Sequence, residues 1–146
     1  MKYLLCIISN PENKYLKDLL LKSWLNNLSK EDNIDYLFVY GDCDLSSYYD
    51  FNEEQKELHI KCIDRIDSVD SLKMNKLCNF LNQCDKYKKY DAFIRCPDDI
   101  YIHNNKFKRL LSLTRKIPYF GVYTDYQTPF NNLLNGVPTG DWHGPY

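Results

Sequence analysis

The chain has 146 residues, a formal net charge of −1, and 44% hydrophobic and 27% charged residues. That suits one compact domain with room for a core, and the near-neutral balance removes the electrostatic case for nucleic acid or an anionic membrane. No apolar run reaches the ~20 residues of a membrane helix, and six cysteines without a Cys-x-x-Cys pair indicate no thiolate metal site.

The opening Met1-Lys2 and the apolar run Tyr3 to Ile8 superficially resemble an export signal. The run is short, lacks a small-residue cleavage site and meets a turn at Asn10-Pro11-Glu12, so it reads as a first strand over 3–9. From Lys14 to about Lys30, Leu16, Leu20, Trp24 and Leu28 recur on one stripe, with Leu19 and Leu25 beside them, which predicts a helix. Asn10-Pro11 or Asn13 supplies its start signal. A second strand covers 35–42 and ends in Gly41-Asp42, and the polar and aromatic residues 43–56 read as a loop. A third strand follows at 57–63. Ser71 to Tyr87 form a helix that turns Leu72, Leu77, Phe80, Leu81 and Cys84 inward. A fourth strand covers 90–96, a third helix 104–116 and a fifth strand 119–123. Residues 124–146 hold three Pro and three Gly with no periodicity and read as an irregular tail.

The order β-α-β-β-α-β-α-β predicts an α/β sandwich around a mostly parallel sheet, in a single domain over 1–146. Cys6, Cys62 and Cys96 fall within strands, where a reduced thiol acts as a small apolar residue. With no export signal, they point to a cytoplasmic setting.

The sequence FIRCPDDIYI, residues 93–102, interrupts an apolar run with Asp98 and Asp99. In open α/β sheets, ligands bind beyond the carboxyl ends of the strands. Those ends are Ser9-Asn10, Gly41-Asp42 and Cys96-Pro97-Asp98-Asp99, which could line one crevice. Two aspartates on such a turn suit a hard divalent cation, which takes one or two protein carboxylates and bridges to substrate phosphates. The plainer reading is turn chemistry, since Asp readily bonds its own backbone.

The segment YDAFIRCPDDIYIHNNKFKRLL resembles the Asp-Asp-Asp region of the β-1,3-galactosyltransferase-like and Fringe-like glycosyltransferases, enzymes of GT-A fold. Other segments fit in order: LLLKSWLNN at a helix ending Arg-x-Thr-Trp, YLFVYGD at the second strand, CIDRIDSVDSLKMNKL at the segment leading into the next helix, then YFGVY and WHGPY. The resemblance implies a metal-dependent, inverting glycosyltransferase. Its donor would be a nucleotide-diphosphate sugar, most simply a UDP-sugar, with Mn²⁺ or Mg²⁺ as cofactor and a glycan or other hydroxyl as acceptor. Asp99 matches the usual metal ligand and Asp98 the middle aspartate. Pro97 stands at the first aspartate, Arg95 at a lysine, Leu21 at the helix arginine and Asn75 at the helical lysine. Lys73 and Lys76, close to that position, could reach a diphosphate at the helix start, or lie on a solvated face. Ser9, Asn10 and Asp42 complete the implied donor site.

The family's acceptor region lies beyond the segment matched by WHGPY, so the chain reads as a donor-binding GT-A domain or its N-terminal part. The catalytic base has no assigned residue. His59, His103 and His143 have bland explanations as strand, helix-start and loop residues. Loop aromatics such as Tyr48, Tyr49 and Phe51 can stack on a base or pack under a loop. The alternative is a nucleotide-sugar-binding module without activity, and a third reading is an interaction domain whose Asp-Asp is only a turn.

Overall fold

The computed structural model describes residues 1–30, 33–63 and 71–113; of residues 71, 72 and 113 only the backbone is described. The expected strand at 119–123, the tail at 124–146 and the end of the third helix lie outside these residues.

Five strands form one sheet in the order β3-β4-β2-β1-β5. Strands β1 (Tyr3–Ser9), β2 (Ile34–Gly41), β4 (Glu57–Ile60) and β5 (Ala92–Pro97) run parallel. The central strands are nearly all apolar, Asp35 at the start of β2 and Ser9 at the end of β1 aside, because both faces are covered, as parallel sheets require. Tyr3, Leu5 and Ile7 of β1 point to one face and Leu4 and Cys6 to the other. The first face carries α1 (Lys14–Leu20), α2 (Asn26–Ser29) and α4 (Asn104–Leu113). The second carries α3 (Ser71–Gln83) through Leu77 and Leu81. A mixed α/β architecture with a mostly parallel sheet is therefore present. No helix among the described residues is long and apolar enough to cross a membrane.

The segment 43–56 departs from expectation. It contains β3 (Tyr49–Asn52), which pairs antiparallel with β4. Tyr49 and Phe51 turn inward onto Phe80, with ring centroids 5.2 and 5.8 Å away, while Asp50 and Asn52 face out. The hairpin returns through Lys56, whose φ of 53° is left-handed although it is not glycine. Four contacts hold it there. Its N–H reaches Glu53 (3.2 Å), its carbonyl accepts from Phe38 (2.9 Å), its ammonium meets Asp35 at 2.5 Å, and it lies 4.3 Å from the Tyr36 ring centroid.

The first helix is not uniform. Between α1 and α2 the chain makes a π-helical turn, Leu21–Leu25. Widening the helix by one residue lets Trp24 and Leu25, adjacent in sequence, both reach the sheet alongside Leu20 and Leu28. Leu19 is left 54% exposed. The second helix ends at Gln83, and a 3-10 helix, Asp85–Lys89, leads into β5.

Candidate functional site

The strand order turns back on itself between β1 and β5, because the chain moves outward through β2 and β4 and then crosses to the far side of β1. At such a reversal, open α/β sheets place their ligands beyond the carboxyl ends of the strands. Here those ends are Ser9 and Pro97, with Ile8 in register against Pro97. Proline has no N–H, so the ladder stops and the following residues are free to turn.

Asp98 and Asp99 have opposite environments. Asp98 is 8% exposed, and its Oδ2 accepts a 2.6 Å hydrogen bond from the Ser9 hydroxyl. Asp99 is exposed and has no hydrogen bond or ion pair among the described residues. Lys73, in the first turn of α3, is 1% exposed and donates from Nζ to the Ser9 carbonyl at 2.9 Å. Ser9 thus joins β1, β5 and α3 through its side chain and its main chain. A lysine on a solvated helix face does not describe Lys73. The ammonium thus docks on the last carbonyl of β1, which satisfies a buried charge with a main-chain acceptor.

The remaining expected site residues are used differently. Asn10 caps the 3-10 turn Pro11–Asn13, its Oδ1 accepting from the Asn13 N–H at 2.9 Å. Asp42 closes a local turn by accepting from the Asp44 N–H at 2.9 Å. Lys76 lies farther along the rim, where its ammonium donates to the Lys61 carbonyl and stands 5.8 Å from the centroid of the Tyr48 ring. Arg95 is half-buried and alternates with Ile94 and Cys96, so it lies on the α3 face. Ser9, Lys73 and Asp98 are therefore brought together. Asn10 and Asp99 adjoin them in the chain, and Asp42 follows β2, the neighbour of β1. Tyr48 is 72% exposed, whereas Tyr49 and Phe51 are partly buried and pack against the core under the loop.

Three more residues bear on this end of the sheet: Tyr40 and Tyr101 went unrecognised in the sequence, and Cys96 keeps the apolar role expected of it. Tyr40 pairs in register with Ser9 and is fully buried, and its hydroxyl has no hydrogen-bond partner among the described residues. Burial, then the charges of Glu57, Asp98 and Asp18, push its phenol well above the ordinary range. The phenol therefore stays protonated at neutral pH. The second is Cys96, whose thiol burial and the charge of Asp98 push up to about 12, against an opposing Arg95. That makes it an inert packing residue. The third is Tyr101, 74% exposed two residues beyond Asp99.

Among the described residues no group of three or more His, Cys, Asp or Glu converges to hold a metal. Asp98 and Asp99 offer hard oxygens from adjacent positions, and a cation held by two carboxylates draws its other ligands from water and phosphate. The donor chemistry fits Mn²⁺ or Mg²⁺ on that condition. A separate polar pocket of about 240 Å³ lies at the opposite end of the sheet, where Lys56 pairs with Asp35.

Neither the scan against protein-family models nor the search of curated proteins finds a match to this chain.

Proposed function

We propose that this chain binds the diphosphate of a nucleotide-sugar donor at the β1–β5 end of the sheet and serves a metal-dependent glycosyltransferase of GT-A type. One observation carries the reading: the 2.6 Å Ser9–Asp98 hydrogen bond fixes the aspartate turn at the point where the strand order reverses. Asp98, held by Ser9, and Asp99, left open, would carry a divalent cation. When bound, that cation neutralises charge on the departing diphosphate. Asn10, Asp42, Lys73, Lys76 and Arg95 complete the donor side in this reading, with Lys73 acting through Ser9 rather than on the ligand. Transfer breaks the bond between the anomeric carbon and the diphosphate oxygen, whose electron pair leaves with the nucleoside diphosphate, as an acceptor hydroxyl oxygen bonds to that carbon and releases its proton to solvent or a base. A UDP-sugar and a glycan are the simplest donor and acceptor. The six free cysteines, three of them buried, suit a reducing cytoplasmic setting.

The alternative, a binding module that transfers nothing, draws on Pro97 standing where the resembled enzymes have a further aspartate. Titrating UDP, GDP and dTDP with and without Mn²⁺ tests the shared premise, and donor hydrolysis or transfer separates the two readings. Nucleotide binding that is absent, or indifferent to Mn²⁺, overturns both.

A further inference from the structure

The chain between β5 and α4 has no regular structure from Ile100 to His103, yet it must hold the aspartate turn still. Among the described residues, one hydrogen bond reaches residues 99–102 from another element. The indole N–H of Trp24 donates to the Ile100 carbonyl at 3.1 Å. A second tie closes the segment's far end, where the Asn104 amide donates to the Trp24 carbonyl at 3.4 Å. Trp24 is 2% exposed, so neither tie competes freely with water. It owes its position to the π-helical turn Leu21–Leu25, and π turns recur where a helix serves a site.

We propose that Trp24 is a positioning residue for the candidate metal and diphosphate site, splinting the segment that carries Asp98 and Asp99 from one helical turn. The inference rests on the donor-binding reading for its consequence, but not for its geometry. Side chains that orient metal ligands typically change metal affinity by about 10–100-fold when removed. Trp24 acts on the main chain directly after the ligands, so an effect of about tenfold is expected.

Trp24→Phe keeps most of the apolar bulk and removes the N–H. Asn104→Ala leaves Trp24 in place and removes the second tie, which keeps the test open should the first variant fold poorly. Leu77→Val, on the α3 face and away from the segment, is the control for lost packing. Two readouts are needed on the full chain: Mn²⁺-dependent UDP affinity, and backbone ¹⁵N order parameters at Asp99 to Ile102 against Cys6 in the central strand. Trp24→Phe should weaken the Mn²⁺-dependent affinity about tenfold and lower the order parameters at Asp99 to Ile102 while leaving Cys6 rigid. Asn104→Ala should do the same to a smaller degree, and Leu77→Val should leave both readouts at wild-type levels. Unchanged order parameters at Asp99 to Ile102 in Trp24→Phe overturn the splint. So does an equal loss of affinity in Leu77→Val, which would make Trp24 merely structural. Should the wild-type chain bind no UDP with Mn²⁺, the donor-binding reading fails by itself, and the order parameters still decide whether Trp24 holds the segment.

Discussion

Replacing Asp98 and Asp99 one at a time separates two roles that neighbouring carboxylates could share. Asp98 is 8% exposed and accepts from the Ser9 hydroxyl at 2.6 Å. A hydrogen bond to a charged group contributes about 1.5–3 kcal/mol. Asp98→Ala should therefore lower stability by about 2 kcal/mol, or roughly 6 °C in melting temperature for a chain of this size. Asp98→Asn retains an acceptor for Ser9 and should lose less. Asp99 is exposed and has no hydrogen bond or ion pair among the described residues, so Asp99→Ala should stay within about 0.5 kcal/mol of wild type. The binding result should differ from the stability result. Asp99→Ala should weaken Mn²⁺-dependent UDP affinity tenfold or more, about 1.4 kcal/mol, and Asp98→Ala should weaken it as well. The assays are thermal unfolding without ligand and calorimetric titration of UDP with and without Mn²⁺. A cycle with Ser9→Ala checks the physical basis, because Ser9→Ala/Asp98→Ala should cost little more than either single change. The reasoning is refuted if Asp99→Ala keeps the wild-type Mn²⁺ dependence, or if Asp98→Ala melts with the wild type.

Two further predictions concern the scaffold. Glu57 is buried and meets Lys17 at 2.7 Å and Lys14 at 3.3 Å. Burial alone would raise its carboxyl, but the hydrogen bond and charge of Lys17, with those of Lys14, outweigh it and hold the group below its ordinary 4.5. Glu57→Gln should destabilise by about 3 kcal/mol, the low end for breaking a buried pair, because Lys14 reaches solvent. The lowered value means that Glu57's contribution is complete above pH 4.5 and fades as pH falls through the folded-state value. Denaturant unfolding from neutral to acid pH should show a steeper acid loss in wild type than in Glu57→Gln, and parallel curves would contradict the assignment. At Lys56, the left-handed φ of 53° favours glycine. Lys56→Gly and Lys56→Ala both lose the Asp35 ion pair, yet the glycine variant should be the more stable by about 1 kcal/mol in denaturant unfolding.

Much of the parallel sheet was legible because its strands are apolar runs separated by amphipathic helices, and the aspartate turn was legible because it breaks such a run. The strand at 49–52 was also written in the sequence. Tyr49 and Phe51 alternate with Asp50 and Asn52, a period of two hidden by the polar residues around it. The burial of Lys73 was not legible. A lysine in a helix reads as solvated until the fold brings a strand-end carbonyl, that of Ser9, within reach of its ammonium. The π-helical turn leaves the stripe of Leu20, Trp24 and Leu28 intact, and only the burial of both Trp24 and Leu25 reveals it. Lys56 gave no sign of its left-handed backbone, since the tertiary contacts that hold it come from Asp35, Tyr36 and Phe38 on β2.

The candidate site divides into residues the fold has already engaged and residues it has left open, and that division has chemical content. Ser9, Lys73 and Asp98 are buried, with Lys73 and Asp98 each bonded to Ser9, and Asn10 and Asp42 are occupied in turns. None of these can swing toward a ligand without losing a contact, so in the donor-binding reading their contribution would be to fix positions and charge before a ligand arrives, as preorganised sites do. Asp99 and Tyr101 extend into solvent from the same short segment. A diphosphate or its cation would meet these open groups first, backed by the fixed ones behind them. The donor-binding reading therefore requires both halves. A rim of rigid, satisfied residues alone would be turn chemistry, and an exposed Asp99 on an untethered loop would bind a cation too loosely to orient a sugar. The Ser9 and Trp24 hydrogen bonds lie one on each side of Asp99, and in that reading they are the tether from which the exposed carboxylate would act.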